Sequence, residues 1–387
     1  MAVNPTYGHQ TTEKLRIAVN TRLLLKDKLE GIGWFSYENL KRICTQHPEH
    51  EFFFIFDRKW SDEFIFSDNI TPISVPPQAR HPLLYYVWFE HSIPTVLRKI
   101  QPDLFFSPDG YLSLQTKVKS VNVFHDLSFE HYPKDVPPVE RFYYRRYFPK
   151  FAKKAERIAT VSEYSKQDIV KTYGVNPDKI DVVYNGSNPL YKPVTENVKQ
   201  ETLNKYSTGK PYFVFVGALH PRKNLVNLFK AFDIFRKENT ENINLLIVGA
   251  KMWWTKAIEQ AYNEMVFKND VVFTGRLNTE ELNKVLGSAL ALTYVSYFEG
   301  FGIPIVEAFL CDTPVITSNV TSMPEVAGDA ALLVNPFSPN SIAEAMQNIV
   351  SSKGVRQDLI SKGRLRRQHF SWQQTADKLW GTVEKVL

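Results

Sequence analysis

The chain has 387 residues, 43% of them hydrophobic and 23% charged, with a formal charge of +6. That length exceeds one typical core, so two domains are expected, and the composition excludes a disordered or fibrous protein. The basic balance, spread along the chain without a basic tail, suits an anionic substrate or an anionic membrane surface, and no nucleic-acid recognition motif accompanies it.

Cys44 and Cys311 have no neighbours at metal-ligand spacing and make no disulfide framework, which points to a reducing compartment. The first residues lack a signal-peptide pattern, and the longest charge-free apolar run, 285–298, is short of the roughly 20 residues a membrane-spanning helix needs. A cytoplasmic location is expected.

Residues 1–13 read as a loose lead-in. Lys14–Asn20 is a first strand. Gly31 and Gly33 sit in the loop that follows, and Trp34–Ile43 has helical periodicity. A glycine loop between the first strand and helix is the ligand-facing turn of a doubly wound sheet, though more often such a pair is only a tight turn. Glu51–Phe56 and Ile70–Val75 are further strands, Leu83–Ile100 is a helix, and Asp103–Ser107 and Ser120–Phe124 are strands. The last runs directly into His125 and Asp126. At the carboxyl end of a parallel strand such a pair lies where these sheets bind ligands; it reads equally as a capped turn in which Asp126 accepts backbone amides.

Val139–Arg157 is crowded with aromatics and cations. It reads either as a packed helix with a solvated basic face or as an interfacial helix on anionic lipid, and Pro149 predicts a break within it. Ile158–Val161 is a strand, and Ser162 is the N-cap of the helix that follows. After a strand at Ile180–Tyr184, the Asn- and Pro-rich tract 185–200 reads as an interdomain linker.

The pattern then restarts. Strands are expected at Tyr212–Val216, Leu245–Val248, Val271–Thr274, Ala289–Val295, Pro314–Thr317 and Ala330–Val334, with helices at Leu225–Glu238, Ser341–Ser351, Val355–Gln368 and Trp372–Val386. Alternation through both halves predicts an α/β protein with two Rossmann-like, doubly wound parallel sheets.

The most informative stretch is Ser296–Glu307, SYFEGFGIPIVE. It joins a buried strand to a helix opened by Pro304. Gly300 and Gly302 let the backbone turn and approach a ligand. The free amides of Phe301 and Gly302 and the positive helix end suit a phosphate. Glu299 enters the turn and Glu307 is expected in the first helical turn. Carboxylates repel phosphate but accept hydrogen bonds from sugar hydroxyls, so a sugar-bearing phosphate ester is implied. The same stretch also reads as a plain strand–loop–helix turn with two solvated glutamates. Arg222 and Lys223 follow Gly217 and precede a helix, which places two cations beside a departing phosphate or, more blandly, in an exposed basic turn.

The Glu299-to-Glu307 spacing with FGIP between resembles the E-x7-E motif of retaining GT-B glycosyltransferases of family four, and the resemblance covers nearly the whole chain. It implies two domains facing across a cleft that holds the active site: an N-terminal acceptor domain over 1–195, a C-terminal nucleotide-sugar domain over 196–370, and a terminal helix, 371–387, crossing back to the first. His125 and Asp126 match the catalytic His-Asp, with Glu299 completing the catalytic set. Gly33, Gly217, Arg222, Lys223, Gly300, Phe301, Gly302 and Glu307 match donor-binding positions. Glu30 stands where the family commonly has glycine, and Ala218 and Leu219 occupy the place where an arginine is frequent. Glu325, in TSMPEVAG, reads as structural.

The implied activity moves a hexose, mannose from GDP-mannose by resemblance to bacterial mannosyltransferases, onto a glycan or lipid-linked acceptor in polysaccharide assembly. No Asp-x-Asp is present, so no metal or other cofactor is expected. Peripheral association with an anionic membrane is a further expectation. The alternatives are a UDP-sugar transferase (glucosyl or N-acetylglucosaminyl), a nucleotide-sugar epimerase, and a catalytically silent nucleotide- or glycan-binding subunit.

Overall fold

The computed structural model describes residues 13–387, so the lead-in lies almost wholly outside the described residues. Short apolar runs form two sheets. The first uses β1 (Arg16–Asn20), β2 (Glu51–Phe56), β3 (Ile70–Ser74), β4 (Leu104–Ser107), β5 (Lys119–Phe124), β6 (Arg157–Thr160) and β7 (Ile180–Val182), in the order β3-β2-β1-β4-β5-β6-β7. Val19 on β1 pairs in parallel register with Phe54 on one side and Phe106 on the other. The second sheet uses β8 (Tyr212–Val216), β9 (Asn244–Val248), β10 (Val271–Gly275), β11 (Ala291–Tyr294), β12 (Val315–Ser318) and β13 (Leu332–Val334), in the order β10-β9-β8-β11-β12-β13. Its pairings are all parallel. Every residue of β8, β9 and β11 is buried, as expected of parallel strands covered on both faces.

In each sheet the strand order reverses once, between β1 and β4 and between β8 and β11. Doubly wound sheets bind ligands in the crevice beyond the carboxyl ends of the strands at that point.

By packing, the chain divides into two compact units. One takes the chain up to Val123, with Tyr147–Ile158 and Trp380–Leu387; the other takes Phe124–Arg146 and Ala159–Leu379. In the first, Trp380 stacks on His47 with ring centroids 3.9 Å apart, and Lys119 Nζ donates to the Val386 carbonyl (2.8 Å). In the second, Leu225, Leu228, Phe229, Phe232 and Phe235 press one face of the Leu225–Glu238 helix into a core shared with Phe213, Leu245 and Ile247.

Several elements differ from expectation. The first helix starts at Gly31, so Gly31 and Gly33 lie in its opening turn, not in a loop. The helix expected over 83–100 carries a π-turn at Trp88–Ser92, where the Ile93 amide reaches back to the Trp88 carbonyl. Pro94, one residue on, has no amide to continue the α-helical ladder. Pro149 breaks nothing: the helix runs from Pro138 to Lys154 through it. A helix-interior proline costs about 3 kcal/mol, whereas burying Phe148 and Phe151 beside it returns roughly 1.5–3 kcal/mol each. A helix at Glu196–Ser207, capped by Thr195, begins inside the tract expected to be linker. Among the described residues no helix is long and apolar enough to cross a membrane.

Candidate active site

The loop between β11 and the Ile303–Leu310 helix is shaped by two glycines. Gly302 is the N-cap at φ +101°, a conformation that favours glycine. Gly300 is packed so closely that a Cβ there would lie 2.0 Å from the His125 carbonyl oxygen and 3.0 Å from Asp126 Cβ. The absence of that one atom lets the segment after β5 lie against the loop. Ser162 fastens the junction by donating its hydroxyl to the Gly300 carbonyl (2.7 Å) while capping the Glu163–Tyr173 helix. His125, Asp126, Gly300 and Glu299 are thereby brought together within the second unit. Asp126 Oδ1 accepts the Ser128 amide (2.9 Å), so the capped-turn geometry is present, and its charge also reaches Arg222 and Lys223.

The cations arrive on a 3-10 turn, Pro221–Lys223, after β8. Asn224, at φ +64°, locks it by donating to the carbonyls of Val295 (2.9 Å) and Pro336 (2.7 Å). Arg222 Nη1 lies 2.6 Å from Glu299 Oε2 and donates to the Phe298 carbonyl (3.2 Å). Lys223 Nζ meets Glu299 Oε1 at 2.6 Å and the Tyr294 hydroxyl at 2.5 Å. The Lys223 side chain lies over Gly217, where a Cβ would be 3.6 Å from its Cε. Glu299 is 6% exposed and Lys223 8%.

Burial pushes the Glu299 carboxyl up, but Arg222 and Lys223 overcome it and hold the group down at about 2. Burial pulls the Lys223 ammonium down to about 8 against the pull of Glu299. Burial also opposes the Arg222 charge, yet Glu299 and Asp126 leave it above its ordinary value. The buried Lys223 and the half-buried Arg222 share one buried carboxylate, and among the described residues Asp126 is the further anion whose charge reaches both. At an effective dielectric near 20, a unit charge about 4 Å away is worth ~4 kcal/mol, so the site favours an anion. Among the described residues none accepts the amides of Phe301 or Gly302, which stand at the positive end of the Ile303–Leu310 helix. The Phe301 ring is buried against Tyr184 and Phe370. Glu299 has both oxygens on cations, and each keeps a further lone pair for a hydroxyl.

Glu307 is the fifth residue of its helix, past the expected first turn, because the helix opens at Ile303. Among the described residues no cation acts on its carboxyl; desolvation raises it to about 7 and the Tyr191 hydroxyl opposes the rise. Gly33 belongs to the first unit, where a Cβ would press on the Leu23 carbonyl oxygen at 3.0 Å.

Other groups were not evident in the sequence. Tyr297 donates to Asp135, Tyr132 packs on Tyr297 (4.5 Å), and His131, bonded to Asp168 (2.7 Å), stacks on Phe298 (5.2 Å). Glu325 accepts the amides of Glu163 (2.7 Å) and Tyr164 (3.0 Å), which fits its reading as structural. Asn224 carried a usable signal, an asparagine immediately before a helical run; Tyr191 carried none.

In the first unit, at the ends of β1 and β4, Asp109 takes Arg22 Nε (2.6 Å) and Asn20 Nδ2 (2.8 Å), with the Arg22 guanidinium 4.3 Å from the Tyr111 ring centre. His47, Glu49 and His50 form the one group among the described residues with metal-ligand spacing. The Leu15 amide donates to His50 Nδ1 (3.4 Å), so the proton lies on Nε2, facing Glu49; hydrogen bonds account for this cluster.

The model for glycosyl transferases group 1 matches residues 198–366, and that for glycosyltransferase family 4 matches 43–189. The O-antigen chain mannosyltransferase B of Escherichia coli is 26% identical, over 90% of this chain and 94% of its own. The O-antigen chain mannosyltransferase RfbU of Salmonella typhimurium is 32% identical over 73% of this chain and 74% of its own. Among solved structures, Anabaena HepE in complex with UDP and glucose superposes with a TM-score of 0.75 at 16% identity, covering 96% of this chain and 99% of that one.

Proposed function

From a chain that belongs to the group 1, family 4 glycosyltransferases and has their GT-B fold, we propose a retaining mannosyltransferase. Its donor is GDP-mannose and its acceptor a glycan or lipid-linked glycan. The observation that carries the reading is the pair of Arg222, half-buried, and Lys223, buried, beside the amides of Phe301 and Gly302, which no group among the described residues accepts. Breaking the sugar–phosphate bond puts charge on the departing diphosphate. Fixed cations and amides favour that state over the ground state, with no metal required. The acceptor oxygen bonds to the anomeric carbon on the face the phosphate leaves, and its proton passes to a phosphate oxygen, which preserves the anomeric configuration. His125 and Glu299 contact the transferred sugar, and Glu307 takes the ribose hydroxyls.

The mannosyl choice rests on the names of the two relatives. The acceptor side falls to the N-terminal domain, 1–195, and the donor side to 196–370. Two unpaired buried thiols, Cys44 and Cys311, support the cytoplasm as the compartment. Val139 and Phe142, exposed beside Arg145 and Arg146 on one helix, support contact with an anionic bilayer surface. HepE's UDP and glucose favour a second reading, a UDP-sugar donor.

Melting the protein with GDP, UDP, ADP, GDP-mannose and UDP-glucose tests this. A ligand at 100 times its Kd adds ~2.7 kcal/mol of stability. Stabilisation by guanine nucleotides alone supports the proposal, stabilisation by uridine nucleotides alone replaces the donor, and none by any nucleotide removes the donor site. The anomer formed, read by NMR, tests retention.

A further inference from the structure

Three aromatic rings form a row beside the cation turn. Tyr297 and Phe337 each stand three residues past the carboxyl end of a strand of the second sheet, β11 and β13. Tyr132 comes from the segment after β5. All three belong to the second compact unit. The ring centres of Tyr132 and Tyr297 are 4.5 Å apart, and the rings of Tyr297 and Phe337, tilted by only 22°, are 6.2 Å apart. At that separation two rings do not cover each other's faces. Phe337 is 58% exposed, and Tyr132 and Tyr297 are half-buried.

The row is anchored to the cation turn. The Tyr297 amide donates to the Arg222 carbonyl (3.0 Å), and its hydroxyl donates to Asp135 Oδ2. Asn224 and Asn227 both donate to the Pro336 carbonyl (2.7 and 3.0 Å), and the Phe337 amide donates to Asn335 Oδ1 (3.0 Å). Asn224, which locks the Arg222–Lys223 turn, thus also fixes the loop that carries Phe337. A loop tied at these points keeps the phenyl ring in solvent, although burying it would be favourable.

We propose that Tyr132, Tyr297 and Phe337, with Asp135 at their rim, form a subsite for a neutral pyranose ring of the acceptor glycan. This rests on the reading of the acceptor as a glycan. A pyranose presents C–H groups on a face and hydroxyls around its edge. The C–H face suits the aromatic rings, and the hydroxyls suit the polar groups beside them. Asp135 Oδ1 and the Tyr132 hydroxyl have no hydrogen bond among the described residues, so an acceptor and a second polar group are available there. The carboxylate disfavours an anion on the row. The cations of the turn do not cancel it: Arg222 is engaged with Glu299 and the Phe298 carbonyl, and Lys223 with Glu299 and Tyr294. The phosphates and the neutral sugar are thereby sorted to neighbouring places.

Ligand-observed NMR titration of the full chain tests the proposal on wild type, Phe337→Ala and Tyr132→Phe. The probes are GDP and UDP alone, then trisaccharides of mannose, glucose, galactose and N-acetylglucosamine at saturating nucleotide. Phe337→Ala is expected to weaken the trisaccharide that wild type binds about tenfold, and Tyr132→Phe about fivefold. Both variants keep the wild-type nucleotide affinity and melting temperature. A trisaccharide that binds all three proteins alike overturns the subsite and leaves the glycan reading intact. If wild type binds none of the trisaccharides, the subsite and the glycan reading both fall, while nucleotide binding still reports the donor site. Weaker nucleotide binding by Phe337→Ala, with sugar binding unchanged, makes the row a stacking place for a base and overturns the proposal.

Discussion

Replacing Glu299 with glutamine keeps the shape of the side chain and removes the one charge that both Arg222 and Lys223 touch, each at 2.6 Å. In the intact protein the pair adds little net stability. Holding Glu299 at about 2 instead of 4.5 contributes ~3 kcal/mol at neutral pH, and pulling Lys223 from 10.5 down to about 8 costs about as much. The Glu299 part is present above pH 4.5 and is lost as pH falls toward 2; the Lys223 penalty fades as pH rises from 8 to 10.5. Glutamine leaves the buried Lys223 and the half-buried Arg222 without their shared counter-charge, which costs about 3–5 kcal/mol. At 2–4 °C per kcal/mol for a unit of this size, the melting temperature at pH 7 falls by about 10 °C. Without Glu299 the Lys223 ammonium falls below its value of about 8 in the intact protein, so part of the loss is regained as pH rises through that lower range. An anion placed on the cations replaces the missing carboxylate, so saturating GDP or pyrophosphate raises the variant's melting temperature by more than the wild type's. Differential scanning calorimetry with and without GDP checks both parts. A variant as stable as wild type, or one that gains no more from GDP, refutes the argument that these cations await an anion.

On the proposed function Lys223 stabilises the leaving phosphate, so Lys223→Ala is expected to lower kcat/KM 10²–10³-fold in a steady-state transfer assay. Gly300→Ala puts a methyl 2.0 Å from the His125 carbonyl oxygen, so the loop and the segment after β5 must separate. Loss of activity beyond any loss of melting temperature reads that separation, and full activity contradicts it. Transfer measured in excess EDTA is expected to match transfer in magnesium, and a large drop refutes metal independence.

How far the sequence carried depended on whether a feature is local. β2, β8 and the Leu225–Glu238 helix have the bounds expected of them, because unbroken apolar runs and a 3.6-residue period are readable within a window. The helices at Lys256–Asn263 and Thr279–Ser288 went unread, being short and mixed in polarity. At the site, the glycines and the two glutamates were visible as a spacing, but their partners were not. Arg222 and Glu299 are 77 positions apart, and what joins them is the adjacency of β8 and β11, a property of topology. Tyr191 lies further still from any motif, and only packing shows that it touches Glu307.

That separation also explains why the two glutamates of one motif differ so strongly. Glu299 is buried and Glu307 half-buried, and desolvation alone pushes either carboxyl upward. Glu299 enters the turn opposite two cations and is held ionised at any physiological pH. Glu307, eight positions on, meets only a phenol and a thiol, and titrates near neutrality. A carboxylate locked to cations orients them and can be exchanged against phosphate. One that is about half ionised at neutral pH binds hydroxyls while repelling a diphosphate less than a full charge would. On the proposed function, Glu299 in the turn and Glu307 in the helix that follows face the transferred sugar and the ribose of one ligand, with desolvation common to both and the presence or absence of a cation setting them apart.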